Sequence, residues 1–85
     1  MKTVMADIIE RTKDVLSQDY PDSKVYDKNV AHAIGIIPDT LKTKKSRGLV
    51  PHDELTMFCL KRGVSLNWLF LGIGPMRIQD AKKDM

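Results

Sequence analysis

The residues with recognition chemistry in this 85-residue chain crowd into one stretch, Asp27 to Gly48. Lys42, Lys44, Lys45 and Arg47 are interleaved with Thr43 and Ser46 near its end, and Lys28 and Asn29 stand at its start. Ammonium and guanidinium groups donate to phosphate oxygens, while hydroxyls reach base edges. Residues 24–48 carry six basic and two acidic groups. Residues 1–23 carry three basic and five acidic, and residues 49–85 five basic and four acidic. The positive excess therefore sits in the middle segment, as a surface for a polyanion requires. Charge alone is better served by the blander reading, a merely solvated basic face.

Other chemistry is thinly represented. Cys59 is the single cysteine, so no internal disulfide framework exists. His32, His52 and Cys59 are scattered, whereas structural zinc wants four nitrogen or sulfur ligands, so no metal site is expected. A Cys59–histidine dyad for nucleophilic catalysis is the alternative. Cys59, however, lies in an apolar helical stripe, where a buried, inert thiol is the default. The chain shows no phosphate-cradling glycine loop and no supported pair of carboxylates. No catalytic residue, no cofactor and no enzymatic activity are expected.

The elements that must hold the basic stretch follow from periodicity and punctuation. Met5, Ile8, Ile9, Thr12, Val15 and Leu16 recur at helical steps, with Asp7, Glu10, Arg11, Lys13 and Asp14 mostly opposite. This predicts an amphipathic helix from about Val4 to Ser17. A loop from Gln18 to Val25 follows, marked by Tyr20, Pro21, Asp22 and Ser23. A short second helix is expected with Asp27 as N-cap, Val30, Ala31 and Ile34 inward, and Gly35 as its stop. Pro38 suits the first turn of a third helix running to about Ser46, with Leu41 as its one apolar anchor.

Pro51 opens a fourth helix with Leu55, Phe58 and Cys59 inward, joined by the stem of Arg62. Ser65 caps a fifth, Leu66 to Leu71, in which Leu66, Leu69 and Phe70 share a face. Trp68 beside them is a core or subunit-contact residue rather than a base-stacking one. Residues 1–76 then form one domain, and residues 77–85 a frayed polar tail or the start of a linker. No stretch approaches the roughly 20 apolar residues of a membrane span. Met1 to Glu10, with Asp7 and Glu10, do not read as a signal peptide. A cytoplasmic protein is expected.

Two short helices flanking Gly35-Ile36-Ile37 form a helix-turn-helix pattern. Ala31 is small where the helices cross, Gly35 allows the sharp turn, and Leu41 pins the second helix from below. The stretch Val30-Ala31-His32-Ala33-Ile34-Gly35-Ile36-Ile37-Pro38-Asp39-Thr40-Leu41 resembles the DNA-binding domain of bacteriophage CI-type repressors. The resemblance continues through Lys45-Ser46-Arg47-Gly48 and Val50-Pro51. It runs on through Phe58 to Leu69 and Gly72-Ile73-Gly74-Pro75-Met76. Ser65-Leu66-Asn67-Trp68-Leu69 followed by Gly72-Ile73-Gly74-Pro75 is its most distinctive part.

The resemblance implies an all-α, compact five-helix, lambda-repressor-like helix-turn-helix domain. It implies a sequence-specific transcriptional repressor that binds double-stranded operator DNA, usually as a homodimer, within a bacterial host cell. The third helix would enter the major groove. With Leu41 inward, Asp39, Lys42, Thr43 and Ser46 face outward as base contacts. Lys44, Lys45, Arg47, Lys28 and Asn29 are assigned to phosphates.

Three departures stand out. Ile37 replaces a small polar cap, Lys44 stands where a tryptophan is common, and the sequence runs to Met85 where family proteins often continue into a C-terminal oligomerisation domain. The expected dimer is accordingly weak. The alternative from another class is a helical protein-interaction module, antitoxin-like or adaptor-like.

Overall fold

Helix α1, Met5–Asp19, buries the apolar stripe read from the sequence, and Thr12 with it. The buried Thr12 hydroxyl donates to the Ile8 carbonyl at 2.8 Å, so it enters the core without an unsatisfied proton. These features come from a computed structural model, which describes residues 5–78; the expected start at Val4 lies outside them. The helix runs two residues past Ser17. Asp19, an acid at the unfavourable end of the helix dipole, is matched there by Arg62 and by Arg77, the latter at 3.5 Å.

Helix α2, Asp27–Ile34, buries Val30, Ala31 and Ile34. Its start differs from expectation: Tyr26, not Asp27, occupies the N-cap position. The Oδ1 of Asn29 accepts the Tyr26 backbone N–H at 2.8 Å, so the reach back from the first turn replaces a forward cap. The Asp27 carboxylate is directed elsewhere, between Lys13 and Lys45. Gly35 ends the helix at φ 82°, in the left-handed region glycine adopts without Cβ strain.

Helix α3, Pro38–Arg47, buries Leu41 alone, and helix α4, His52–Arg62, buries Leu55, Phe58 and Cys59. Pro51 stands just before α4, at the N-cap position. The Arg62 guanidinium lies 5.1 Å from the centre of the buried Phe58 ring and pairs with Asp19.

Helix α5, Leu66–Leu71, is capped by Ser65, whose hydroxyl accepts the Trp68 N–H at 3.3 Å. Leu69 is fully buried and Phe70 half-buried, but Leu66 is 39% exposed, so the expected three-residue face reduces to two. Trp68 packs, half-buried, on the core.

Helix α2 is the hub, packing against α1, α3 and α4, while α5 closes on α1. Ile8, Val30, Leu41, Leu55 and Leu69 bring all five helices into one core. Arg11, expected on the outer side of α1, reaches across this closure and donates to the Leu69 carbonyl at 2.9 Å.

Past Met76 the chain stays attached where a frayed tail was expected. Ser65 N–H donates to the Met76 carbonyl and Ile78 N–H to the Gly63 carbonyl, each at 2.8 Å. Arg77 donates to the Arg62 carbonyl at 2.8 Å. The remainder of the expected tail, residues 79–85, lies outside the described residues. Among the described residues the one departure from helix and loop is the isolated antiparallel bridge between Val64 and Arg77. The fold is thus all-α, a compact five-helix helix-turn-helix domain.

Candidate nucleic-acid interface

The turn between α2 and α3 is built by three devices. Ile36 N–H donates to the Ala31 carbonyl at 2.9 Å, which closes the end of α2. Ile36 packs half-buried on the core, while Ile37 remains 66% exposed. Ile37 offers α3 no side-chain cap; Pro38, with φ preset for helix, begins it instead. Asp39 in the first turn and Lys44, Lys45 and Arg47 in the last complement the helix dipole. Leu49 N–H closes the C-terminal end on the Lys44 carbonyl at 2.8 Å.

Leu41, 1% exposed, fixes the rotation of α3. Asp39, Lys42, Thr43 and Ser46 are consequently all exposed, as the helical phase predicts. They divide between two grooves. On the side facing the start of α2, Asp39, Lys42 and Ser46 line one groove with Asp27, Lys28 and Lys45. On the other side, Asp39 and Thr43 line a second with Thr40, Lys44 and Leu49. Thr43 and Lys42 therefore open towards different sides of the same helix.

The cations assigned to phosphates are not equivalent. Lys28 and Arg47 are exposed and form no ion pair among the described residues. Lys44 is half-buried and lines the second groove. Asn29 has already committed its side-chain oxygen to the Tyr26 N–H, which leaves its amide N–H groups for an anion. Lys45 is tied to Asp27, Nζ to Oδ2 at 3.0 Å, and Asp27 Oδ1 stands 2.8 Å from Lys13 Nζ. The three side chains join α1, α2 and α3 at the rim of the interface. Hydrogen bonding from Lys13, then from Lys45, holds the Asp27 carboxyl below its ordinary pKa, and Asp27 in turn raises that of Lys13.

Asp27 was expected only as a cap, and Lys13 only as part of the solvated face of α1. The one legible signal for the triad is that Asp27 is an acid opening the basic segment.

The remaining chemistry is quiet. Burial pushes the Cys59 thiol up to about 11, the direction opposite to that of a thiolate nucleophile. His52 stacks on Phe70, ring centres 5.3 Å apart. Among the described residues, no group of three or more His, Cys, Asp or Glu side chains could hold a metal ion. No described helix is long and apolar enough to cross a membrane.

Comparison with known proteins agrees with this geometry. No curated protein and no solved structure matches the chain. The family described as the bacteriophage CI repressor helix-turn-helix domain matches residues 24–77, from the loop before α2 to the bridge at Arg77. With more than half its length matched, the chain belongs to the bacteriophage CI repressor helix-turn-helix domain family, a family of DNA-binding transcriptional regulators.

Proposed function

We propose that the chain is a sequence-specific double-stranded DNA-binding repressor of phage or prophage type, with α3 as the helix that enters the major groove. The observation carrying this reading is the surface of α3. One buried residue anchors it, and Asp39, Lys42, Thr43 and Ser46 all stand free on the outward side. A helix in the major groove needs that division between anchor and readout.

In this reading Lys42 donates to guanine acceptors, and Thr43 meets a thymine methyl or hydrogen-bonds a base edge. Ser46 bonds either kind of partner. Asp39 accepts from a cytosine amino group or serves the helix start. Arg47 and Lys44 at the end of α3, with Lys28 and Asn29 at the start of α2, contact phosphates and fix the register, while Lys45 stands beside them paired with Asp27. The protein binds operator as a homodimer on two half-sites about one helical turn apart. Exposed apolar side chains are available for self-association: Met57 and Leu60 on α4, Leu71 at the end of α5, and Ile73. It acts in the cytoplasm of a bacterial host.

Selection of bound duplexes from a random pool, followed by mobility shift of the winners, tests the reading. Enrichment of one short motif, with twofold symmetry if a dimer binds, is the expected outcome. A pool that stays random through successive rounds would refute it and favour the interaction-module alternative.

A further inference from the structure

We propose that Asp27 sets the strength of DNA binding by holding Lys45 away from the phosphate backbone, so that this cation adds nothing to affinity until Asp27 is removed. The inference rests on the DNA-binding reading above. Three observations carry it. First, Asp27 lines the same groove as Lys42 and Ser46, on the side of α3 assigned to base contact. Any duplex docked on α3 must bring phosphates close to this carboxylate. Second, both carboxylate oxygens are engaged, Oδ1 with Lys13 at 2.8 Å and Oδ2 with Lys45 at 3.0 Å. Lys45 must leave or share that oxygen before it can neutralise a phosphate. Third, Lys45 and Asp27 are each less than half exposed, their side chains at 42% and 43%. The pair is less screened than one standing free in water.

The charge argument fixes the sign. Phosphate contacts supply affinity without sequence information, each releasing close to one counterion. A lysine neutralised by its own protein releases none. Asp27 therefore lowers affinity for operator and random DNA alike and leaves their ratio unchanged. Base readout is carried by other residues. The consequence is a repressor whose hold on DNA is restrained from within the domain.

The test is a salt titration of the whole chain on two duplexes, the selected operator and a random sequence of equal length. Asp27→Asn should tighten both by roughly three- to tenfold near 0.1 M salt and steepen the log–log slope by about one unit. Lys45→Ala in the wild-type background should change the slope by well under one unit. In the Asp27→Asn background it should remove about one. Asp27→Ser supplies a second neutral side chain at the same helix start, should Asp27→Asn fold poorly by circular dichroism.

Asp14→Asn, on the exposed side of α1, controls for net charge and should leave both affinities nearly unchanged. Weaker binding by both neutral variants would overturn the proposal and make Asp27 a residue that aims Lys45 at phosphate. Equal gains from Asp14→Asn, or an equal loss from Lys45→Ala in both backgrounds, would overturn it as well. If neither wild type nor any variant binds either duplex, the DNA-binding reading itself falls, and this inference with it.

Discussion

A single methyl added at Gly35 and at Gly72 should destabilise the fold by different amounts, although the two glycines share one backbone conformation. Their φ angles are 82° and 73°. An L-residue held in the left-handed region costs about 1–2 kcal/mol, and both substitutions incur that. At Gly35 nothing lies within 4 Å of the added Cβ, so the conformational term is the whole effect. At Gly72 the Cβ would stand 2.8 Å from Nη2 of Arg11 and 3.2 Å from its Cζ.

That guanidinium is the flexible end of its side chain, yet it is tethered: Nη1 donates to the Leu69 carbonyl at the end of α5. Displacing it gives up a hydrogen bond worth about 1 kcal/mol net. Gly72→Ala should therefore exceed Gly35→Ala by about 1 kcal/mol, or about 4–8 °C in Tm for a domain of this size. Thermal and urea unfolding followed by circular dichroism measures both. In an Arg11→Ala background the excess should vanish, because nothing remains for the methyl to meet. Equal losses in the wild-type background, or an excess that survives Arg11→Ala, would refute the reasoning.

Four further outcomes are expected. Thr43→Ala should weaken the selected operator by roughly 1–3 kcal/mol and random DNA hardly at all, read by competition titration; a uniform loss would show that α3 is rotated from the phase set by Leu41. Arg47→Ala, which removes a cation unpaired among the described residues, should flatten the salt slope by about one unit on every duplex, a larger change than Lys45→Ala produces in wild type. Ala31→Leu, at a position 0% exposed on the hub helix, should destabilise by about 1–3 kcal/mol through overpacking, and an unchanged urea midpoint would contradict the close approach there. The Cys59 thiol, buried and titrating near 11, should resist alkylation at neutral pH in the folded protein and react at the rate of a free thiol in urea; fast labelling of native protein would count against its burial.

What could be read from the sequence was whatever local rules decide. The inward stripe of α1, the stop at Gly35 and the Ser65 cap each follow from residues within a turn of one another. The rotation of α3 was legible because Leu41 is its one strong apolar residue. What escaped were side chains acting across the fold. Arg11 and Leu69 are 58 positions apart, and Lys45 and Asp27 are 18 apart. Charged residues on an amphipathic helix look alike until their partners are known, so Arg11 and Lys13 passed as solvated surface. Arg77 and Ile78 passed as a tail for the same reason, since a backbone bridge to Gly63 and Val64 leaves no mark in composition. The Asn29 bond to Tyr26 was missed because Asp27 offered a more familiar cap.

The single anchor of α3 bears on how readily such a protein can change its target. Six of the ten residues of α3 are exposed, and Leu41 alone is buried. Surface substitutions away from special features usually alter stability by no more than about 0.5 kcal/mol. Asp39, Lys42, Thr43 and Ser46 can then be exchanged in many combinations while α2, α4 and the core stay as they are. If α3 reads DNA as proposed, repressors able to ignore one another's operators in the same cell could arise from this scaffold by altering four side chains, because address and fold would then be written in different residues.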